Sequence, residues 1–402
     1  MRSLAYDPVL EYLYIGTLDQ GMFQLALKPQ VIFHSSDHQK TIAIDHFGNV
    51  PIRLFNDALQ IGSQKYNLGF FKREEVKFVS QNKNRLPKHE DFFYELNYDT
   101  PVASIQLYEI KKSDSHIWVN SNVGLFKFSP KGKFESYLPL HTLAFDFTPD
   151  NRLIETNPYH GVRIYETENP MSYKYYDEHS VHTPTDVVGT LRIKNRTFLL
   201  SIFKGLFSYS DKFRSFSADN IWLEKKLRHI TTYKSGLGIS QEFGDIYVVN
   251  VDEGFQVEHK INRKNFRGNT IFDMKSYEEW LIILTEAGIT FTNFQKQIFL
   301  NEEQGLKQPI HNLHVHQDTL YAATDKGEFR MNLVDILHPD ERIDDIFIRE
   351  MRVNGNLISM KNKISLRSNQ NHLEILVGTT PTLSPKNCFS NTNYAMTPTG
   401  SR

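Results

Sequence analysis

The feature that most constrains the fold is a hairpin pattern that recurs along the whole chain. A short apolar run, a polar turn and a second apolar run first appear as YLYIGTLDQGMFQL at 12–25. Further copies lie at 48–63, 116–129, 152–167, 197–210, 245–259, 279–293 and 319–333. Their aligned turn positions are Gly21, Ala58, Gly124, Gly161, Gly205, Gly254, Gly288 and Gly327. Eight such hairpins about 44 residues apart indicate a repeat architecture.

Glycine at seven of these eight positions has a conformational reason. A tight turn between twisted antiparallel strands usually needs a residue at positive φ, which glycine adopts without steric cost. We therefore predict that these seven glycines are structural. Ala58 should be strained at its position, or its turn should differ from the others.

Each repeat also has an upstream strand before the hairpin and often an aromatic-rich strand after it. Four short strands in roughly 40 residues are typical of a β-propeller blade. The sequence therefore predicts an all-β protein with a propeller at 1–338. The sequence does not decide between seven and eight blades. The two chain ends of a propeller often share one blade, which would reduce the number. The wide gap after Ala58 contains either an insertion, at about 64–100, or a degenerate additional unit.

The repeats resemble the two-component regulator propeller repeat. Tyr14 and Tyr321 stand where that family usually has tryptophan, and Trp118 and Trp280 lie at or near that position in other copies. The tail at 342–402 resembles part of the triple-tyrosine (Y_Y_Y) domain that follows this propeller, a small Ig-like β-sandwich. The matching tail features are an Asn354–Gly355 turn, then Asn371, Leu373 and Ile375, and a strand approaching Tyr394.

This resemblance implies the periplasmic sensor region of a two-component, often hybrid, sensor histidine kinase of Bacteroidetes type. It implies a small-molecule or oligosaccharide ligand, a homodimer in the full-length receptor, and membrane attachment only through segments not in this chain. The isolated chain would then be a non-catalytic piece of a longer protein. A polysaccharide-active propeller hydrolase or lyase and a propeller interaction scaffold remain as alternatives.

Composition limits the partners. The formal net charge is −1, so there is no global electrostatic case for binding nucleic acid or an anionic membrane. Cys388 is the single cysteine and cannot form a disulfide within the chain. No window approaches the roughly 18 apolar residues of a membrane span, and the start of the sequence has no apolar signal-peptide region.

The sequence predicts no catalytic residue, no cofactor and no metal site, and it does not identify ligand-binding residues. His311, His314 and His316 form the densest histidine group, and the last two share a strand face, as metal ligands can. A polar blade strand with one solvated face is the preferred interpretation. The pair Glu74–Glu75 is interpreted as solvated surface, and the aromatic run at 173–179 as an outer strand rather than a sugar-stacking site.

Overall fold

We describe a computed structural model of the chain. The structure describes residues 3–7, 12–16, 22–26, 31–36, 40–82, 104–140, 142–157, 161–165, 172–176, 183–216, 226–242, 244–251, 255–302, 305–306, 309–337, 346–353, 356–357 and 373–379. The chain divides into two compact units, Met1–Asn332 and Leu333–Arg402.

The first unit is built of short antiparallel strands. Three strands at its start form a three-stranded sheet: β1 (Ser3–Asp7), β2 (Tyr12–Gly16) and β3 (Met22–Ala26). The strand β4 (Val31–Ser35) follows. Blades 1 to 3 comprise β5 (Thr41–Phe47), β6 (Val50–Phe55), β7 (Ala58–Ile61) and β8 (Gln64–Asn67); β9 (Leu107–Lys112), β10 (Ile117–Ser121), β11 (Gly124–Phe128) and β12 (Phe134–Leu138); and β13 (Ala144–Phe147), β14 (Leu153–Asn157), β15 (Gly161–Tyr165) and β16 (Tyr173–Tyr176).

Four more blades follow in the same order. Blades 4 to 6 comprise β17 (Val187–Ile193), β18 (Arg196–Ser201), β19 (Gly205–Tyr209) and β20 (Phe213–Ser215); β21 (Leu227–Tyr233), β22 (Gly236–Gln241), β23 (Ile246–Asn250) and β24 (Gln256–Ile261); and β25 (Ile271–Tyr277), β26 (Trp280–Thr285), β27 (Gly288–Thr292) and β28 (Gln297–Leu300). Blade 7 comprises β29 (Ile310–His316), β30 (Thr319–Thr324), β31 (Gly327–Asn332) and, as its fourth strand, β4.

The seven four-stranded sheets form a closed ring. The first strand of each blade, which we call the inner strand, contacts the inner strand of the next blade, and β29 of blade 7 contacts β5 of blade 1. Apolar side chains fill the space between successive blades; for example, Phe198 and Leu200 of blade 4 pack with Leu237 and Ile239 of blade 5. The predicted propeller is therefore confirmed, and it has seven blades.

The expectation that two chain ends share a blade is also confirmed, because β4 pairs with β31. The suggestion of eight blades is wrong. The first hairpin, β2–β3, belongs to the separate sheet β1–β3, and its turn residue Gly21 lies outside the described residues. Eight hairpins therefore supply seven blades and one three-stranded sheet.

The turn glycines begin the third strand of their blades. Gly124, Gly161, Gly205, Gly288 and Gly327 all have positive φ, with values of 139°, 70°, 86°, 138° and 151°. At Gly124, Gly288 and Gly327 an added Cβ would also collide with a carbonyl oxygen of the outer strand. Ala58 opens β7 at the equivalent position and is not among the described residues with positive φ, so its turn differs.

The fifth blade corrects one detail of the repeat alignment. The run at 245–259 forms the third and fourth strands, β23 and β24, rather than the second and third. Gly254 therefore falls between β23 and β24 in the chain, outside the described residues, and residues 242–245 connect the second and third strands instead.

The region of the expected insertion contains β8 and a helix, α1 (Leu68–Asn82). The Asn67 side chain caps this helix by accepting a hydrogen bond from the Phe70 backbone nitrogen at 3.0 Å. Phe71 is fully buried and packs edge-on against Phe126 of blade 2. Residues 83–103 lie outside the described residues.

The second unit begins with the short helix α2 (Leu333–Leu337). Its described strands are β32 (Ile346–Val353), β33 (Asn356–Leu357) and β34 (Leu373–Thr379), with β32 in the middle of a three-stranded antiparallel sheet. Leu373 and Ile375 of the resemblance lie on β34, whereas residues 354–355, Asn371 and Tyr394 lie outside the described residues. The β-sandwich at 342–402 remains a prediction. Within the described part of the chain, no helix has both the length and the apolar character that a membrane crossing requires.

Candidate functional site

The inner strands bring a set of charged side chains together around the axis of the ring. Their shared property is that each pairs with an opposite charge or with the backbone of another blade. We call this set the axial cluster: Asp45, Glu109, Lys111, Lys112, Asp146, Asp273 and Lys275.

Lys111 of blade 2 is the most central member. Its Nζ lies 3.4 Å from Glu109 Oε1 and 3.7 Å from Asp146 Oδ2 of blade 3, and it donates a hydrogen bond to the Thr190 carbonyl of blade 4 at 3.2 Å. One ammonium group thus contacts three blades. Burial alone would lower the pKa of Lys111, but Glu109 and Asp146 raise it above its ordinary value, so Lys111 is charged.

Glu109 lies deep in the ring and still reaches solvent. Burial raises its pKa, and Lys111 opposes that effect. Its side chain nevertheless keeps 37% of its surface exposed. Glu109 is therefore a partly exposed carboxyl group whose surroundings disfavour its charged form. The axial cluster therefore includes a carboxyl group that solvent, or a ligand, can reach.

A second ion pair joins blades 1 and 2. Lys112 Nζ lies 2.6 Å from Asp45 Oδ1 and donates a hydrogen bond to the His46 carbonyl at 2.8 Å. Asp45 Oδ1 also accepts a hydrogen bond from the backbone nitrogen of His46 at 2.6 Å. These contacts fix the end of β5 and set the position of His46.

Asp273 joins blades 6 and 7. Its Oδ2 accepts hydrogen bonds from the Leu313 backbone nitrogen at 2.8 Å and from Asn312 Nδ2 at 3.1 Å, while Lys275 Nζ lies 2.7 Å from Oδ1. Asp273 follows a bulge at the second residue of its inner strand. The same bulge occurs in blades 1, 2, 4, 5 and 7, and bulges commonly redirect side chains next to functional sites.

Three imidazoles lie beside the axial cluster where blade 7 meets blade 1. We call them the histidine triad: His46 on β5, and His314 and His316 on β29. A ring nitrogen of each lies within 4.8 Å of the others. The His46 and His316 rings are stacked, with centroids 4.1 Å apart and planes 2° apart, and the His46 and His314 centroids are 5.2 Å apart.

The buried His46 and the largely buried His314 are both held neutral. Burial, followed by the neighbouring imidazoles, lowers the pKa of His46 to about 4. Burial, followed by the charges of Lys112 and Lys275, lowers the pKa of His314 to about 3. Neutral imidazoles can act as metal ligands or as hydrogen-bonding groups.

The structure separates the histidines that the sequence groups together. His311 turns away from the triad and pairs with Asp325, its Nε2 lying 2.8 Å from Oδ1. His46, from a distant repeat, takes its place. The interpretation of His314 and His316 as part of a merely solvated strand face is incomplete, because His314 is largely buried and both rings stack with His46.

The structure also decides two other interpretations made from the sequence, those of the aromatic run at 173–179 and of Glu75. The described part of the run at 173–179, residues Tyr173–Tyr176, is β16, the outer strand of blade 3, as predicted, and residues 177–179 lie outside the described residues. The interpretation of Glu75 as solvated surface is wrong: it lies on α1, is buried and pairs with Lys72 Nζ at 2.8 Å. The axial cluster itself was missed, although charged residues recur in the first strand of several repeats.

A further cavity of about 380 Å³ lies at the junction of blades 1 and 7. Its lining includes Arg53 of β6 and Glu328 of β31, which form a two-pronged ion pair: Arg53 Nε lies 2.8 Å from Oε2 and Nη2 lies 3.0 Å from Oε1. Arg330 also donates a hydrogen bond to Glu328 Oε1. These ion pairs join β6 of blade 1 to β31 of blade 7, so we assign Arg53 and Glu328 a role in closing the ring.

Comparison with known proteins places the fold among seven-bladed propellers. No protein-family model matches the sequence, and no curated protein matches it. The extracellular domain of BT4673 from B. thetaiotaomicron, a protein proposed to be a hybrid two component system, is similar with a TM-score of 0.55 at 13% identity, over 93% of this chain and 53% of that chain. This chain thus spans about half the length of that extracellular domain.

A second similar structure is that of an enzyme, a lyase. Virginiamycin B lyase from Staphylococcus aureus, solved as a catalytically inactive variant with quinupristin, has a TM-score of 0.55 at 10% identity, over 75% of this chain and 99% of that chain. At such identities the likeness shows the fold alone. This fold is therefore one that the extracellular domain of BT4673 and a lyase share.

Proposed function

We propose that this chain is a non-catalytic, extracytoplasmic ligand-sensing region of a two-component sensor histidine kinase. The observation that carries the proposal is the axial cluster, a solvent-accessible polar site assembled from several blades. A ring of blades can vary the residues around such a site without changing the fold, which suits a receptor. The likeness of the fold to an extracellular sensor domain supports this choice.

The charges of the axial cluster favour an uncharged, hydroxyl-rich ligand. Four carboxylates and three ammonium groups give a formal charge of −1, and each of these groups already has a partner of opposite charge. Paired charges create little net attraction for an ion, but their oxygens and nitrogens accept and donate hydrogen bonds. We therefore propose a glycan breakdown product as the ligand.

The remaining parts of the proposal follow from the sequence resemblance. The sensor region would lie in the periplasm and act as a homodimer in the full-length receptor. Ligand binding would pass a signal toward a membrane helix and kinase beyond this chain. Such relay requires the ligand to bind two arrangements of the receptor with different affinities.

Calorimetric titration with neutral, acidic and basic oligosaccharides tests the proposal. We expect a neutral oligosaccharide to bind, and Lys111→Met to weaken binding by roughly 10- to 100-fold, because it removes a charged hydrogen-bonding group. Lys131→Met is the matched control: Lys131 is an exposed lysine of the same blade, in the turn between β11 and β12, and its variant should bind normally. Absence of binding across the panel, or equal affinities of both variants, would contradict the proposal.

The second candidate, a propeller lyase, rests on Glu109. A carboxyl group with a raised pKa beside a lysine is a suitable general acid or base. Chromatography of the same oligosaccharides after incubation with the protein distinguishes the two functions. Cleavage that Glu109→Gln abolishes would favour the lyase, whereas binding without cleavage favours the sensor.

A further inference from the structure

We propose that the histidine triad is a zinc site that links blade 7 to blade 1. Its ligands would be one imidazole nitrogen each from His46, His314 and His316, with a fourth position open to water or to a ligand group. This inference does not rest on the proposed sensor function, since the triad stands beside the axial cluster and uses none of its charged groups as ligands.

The first argument is the presence of unpartnered nitrogens. His46 is 93% buried, with 7% of its surface exposed, and its Nδ1 has no hydrogen-bond partner. Nε2 of His314 is also buried and without a partner. A buried polar atom left unpaired costs about 1–3 kcal/mol, so two in one cluster are unusual unless something binds there.

The second argument is orientation. His314 Nδ1 lies 3.6 Å from Asp45 Oδ1, which is beyond hydrogen-bond distance, but the negative charge favours the tautomer that carries its hydrogen on Nδ1 and a lone pair on Nε2. A carboxylate behind a histidine is the usual outer partner of a metal-binding imidazole. Asp45 is itself fixed by Lys112 at 2.6 Å. Asp45 is therefore placed to serve as the outer partner of one of the three imidazoles, His314.

The third argument is the choice of ion. The described donors are three imidazoles, which suit Zn²⁺, Cu²⁺ and Ni²⁺ and do not suit Mg²⁺ or Ca²⁺, which prefer oxygen. Three protein ligands and an open fourth position are the arrangement of open zinc sites. Ligand nitrogens around tetrahedral zinc lie roughly 3.3 Å apart, given bonds of about 2.0–2.1 Å. The triad must therefore contract, and its stacked rings must rotate so that their lone pairs converge.

Such contraction has a defined structural effect. His46 comes from the first blade and the other two histidines come from the last blade, and these blades meet where the ring closes. A bound ion would add a coordinate link between β5 and β29. Because the ion would bind the closed ring in preference to the unfolded chain, zinc should raise the melting temperature.

The test uses the whole chain, without an affinity tag and stripped of metal by a chelator. Calorimetric titration with Zn²⁺ should give one ion per chain. His46→Gln and His316→Gln should each weaken binding by roughly 100-fold or more, since loss of an outer partner alone costs about 10- to 100-fold. His311→Gln is the matched control on the same strand, because His311 pairs with Asp325 instead. It should bind zinc as the unmodified chain does.

Three further measurements keep the test decisive. Co²⁺ bound in place of Zn²⁺ should give the visible absorption bands of a tetrahedral site, and zinc should raise the melting temperature of the unmodified chain and of His311→Gln only. If a triad variant fails to fold, anomalous scattering at the zinc edge from crystals of the unmodified chain locates the ion directly. Absence of stoichiometric binding, equal binding by triad and control variants, or an anomalous peak away from the triad would overturn the proposal.

Discussion

The ion pair between Arg53 and Glu328 joins the first blade to the last, and its removal tests how the ring is held closed. Arg53→Met keeps the aliphatic stem and removes the charge and both hydrogen bonds. The Glu328 side chain is only 5% exposed, so water cannot replace Arg53 fully. The variant should therefore lose stability through the seam between blades 7 and 1.

The size of the loss follows from what remains around Glu328. Removing one partner of a buried ion pair costs about 3–5 kcal/mol when the other charge is left alone. Here Arg330 Nε still donates to Glu328 Oε1 at 2.8 Å, so the carboxylate keeps one cation. We therefore expect a loss of about 2–3 kcal/mol in the free energy of unfolding.

Urea unfolding at pH 7 measures this loss, and a second ion pair across the same seam supplies the control. Lys40 Nζ lies 3.6 Å from Asp325 Oδ1, with side chains 43% and 45% exposed. Exposed pairs of this kind contribute about 0–1 kcal/mol, so Lys40→Met should change stability little. If Arg53→Met costs no more than Lys40→Met, the buried pair does not hold the ring closed and the reasoning fails.

The effect of Arg53→Met should also depend on pH. Burial acts to raise the pKa of Glu328, but the hydrogen bonds and charge of Arg53, followed by those of Arg330, hold it below its ordinary value. A lowered carboxyl pKa contributes stability above the unfolded pKa of about 4.3, and that contribution is lost as pH falls through the folded pKa. The difference between the unmodified chain and Arg53→Met should therefore shrink below about pH 4. A difference independent of pH would contradict this account.

Three further predictions concern other parts of the ring. Gly124→Ala should lower the free energy of unfolding by about 1–3 kcal/mol, because alanine would be forced to φ 139° and its Cβ would collide with the Leu138 carbonyl oxygen. An unchanged melting temperature would be inconsistent with that collision. Burial raises the pKa of Glu155 to about 7, above its unfolded value, so the unmodified chain should lose stability relative to Glu155→Gln as pH rises from about 4.5 to 7; parallel pH profiles of melting temperature would argue against this. Phe71→Ala should lower the free energy of unfolding, measured in urea, by about 3–5 kcal/mol, because Phe71 is fully buried. Phe203→Ala is the control: its side chain is 64% exposed, so the free energy of unfolding should change by no more than about 0.5 kcal/mol. Similar losses in the two variants would refute the packing of α1.

The propeller was predictable because its signal is local and repeated. Each hairpin places two apolar strands around a turn, and the glycine at the turn is needed for backbone reasons that act within one repeat. The number of blades was not fully predictable. Whether β4 pairs with β3 or with β31 is decided by ring closure, which depends on residues at the far end of the chain.

The helix α1 and the candidate site escaped prediction for different reasons. The helix has a readable signal in the Asn67 cap and in Phe71 and Phe78, which are seven residues apart on one helical face. The histidine triad has no such local signal. His46 and His314 come from the two blades that meet at ring closure, so their proximity is a property of the assembled ring.

The pairing of β4 with β31 has a mechanical consequence. The chain enters the ring at Val31, and the pairing partner of Val31 is Met331, where the chain is about to leave. Tension applied to the flanking segments would therefore load this strand pair from one end, and its hydrogen bonds would break one after another instead of all at once. Blade 7 would lose its outer strand at low force while the three other strands of that blade and all strands of the remaining six stay paired, so the ring carries a built-in weak point at which pulling on the chain would first act.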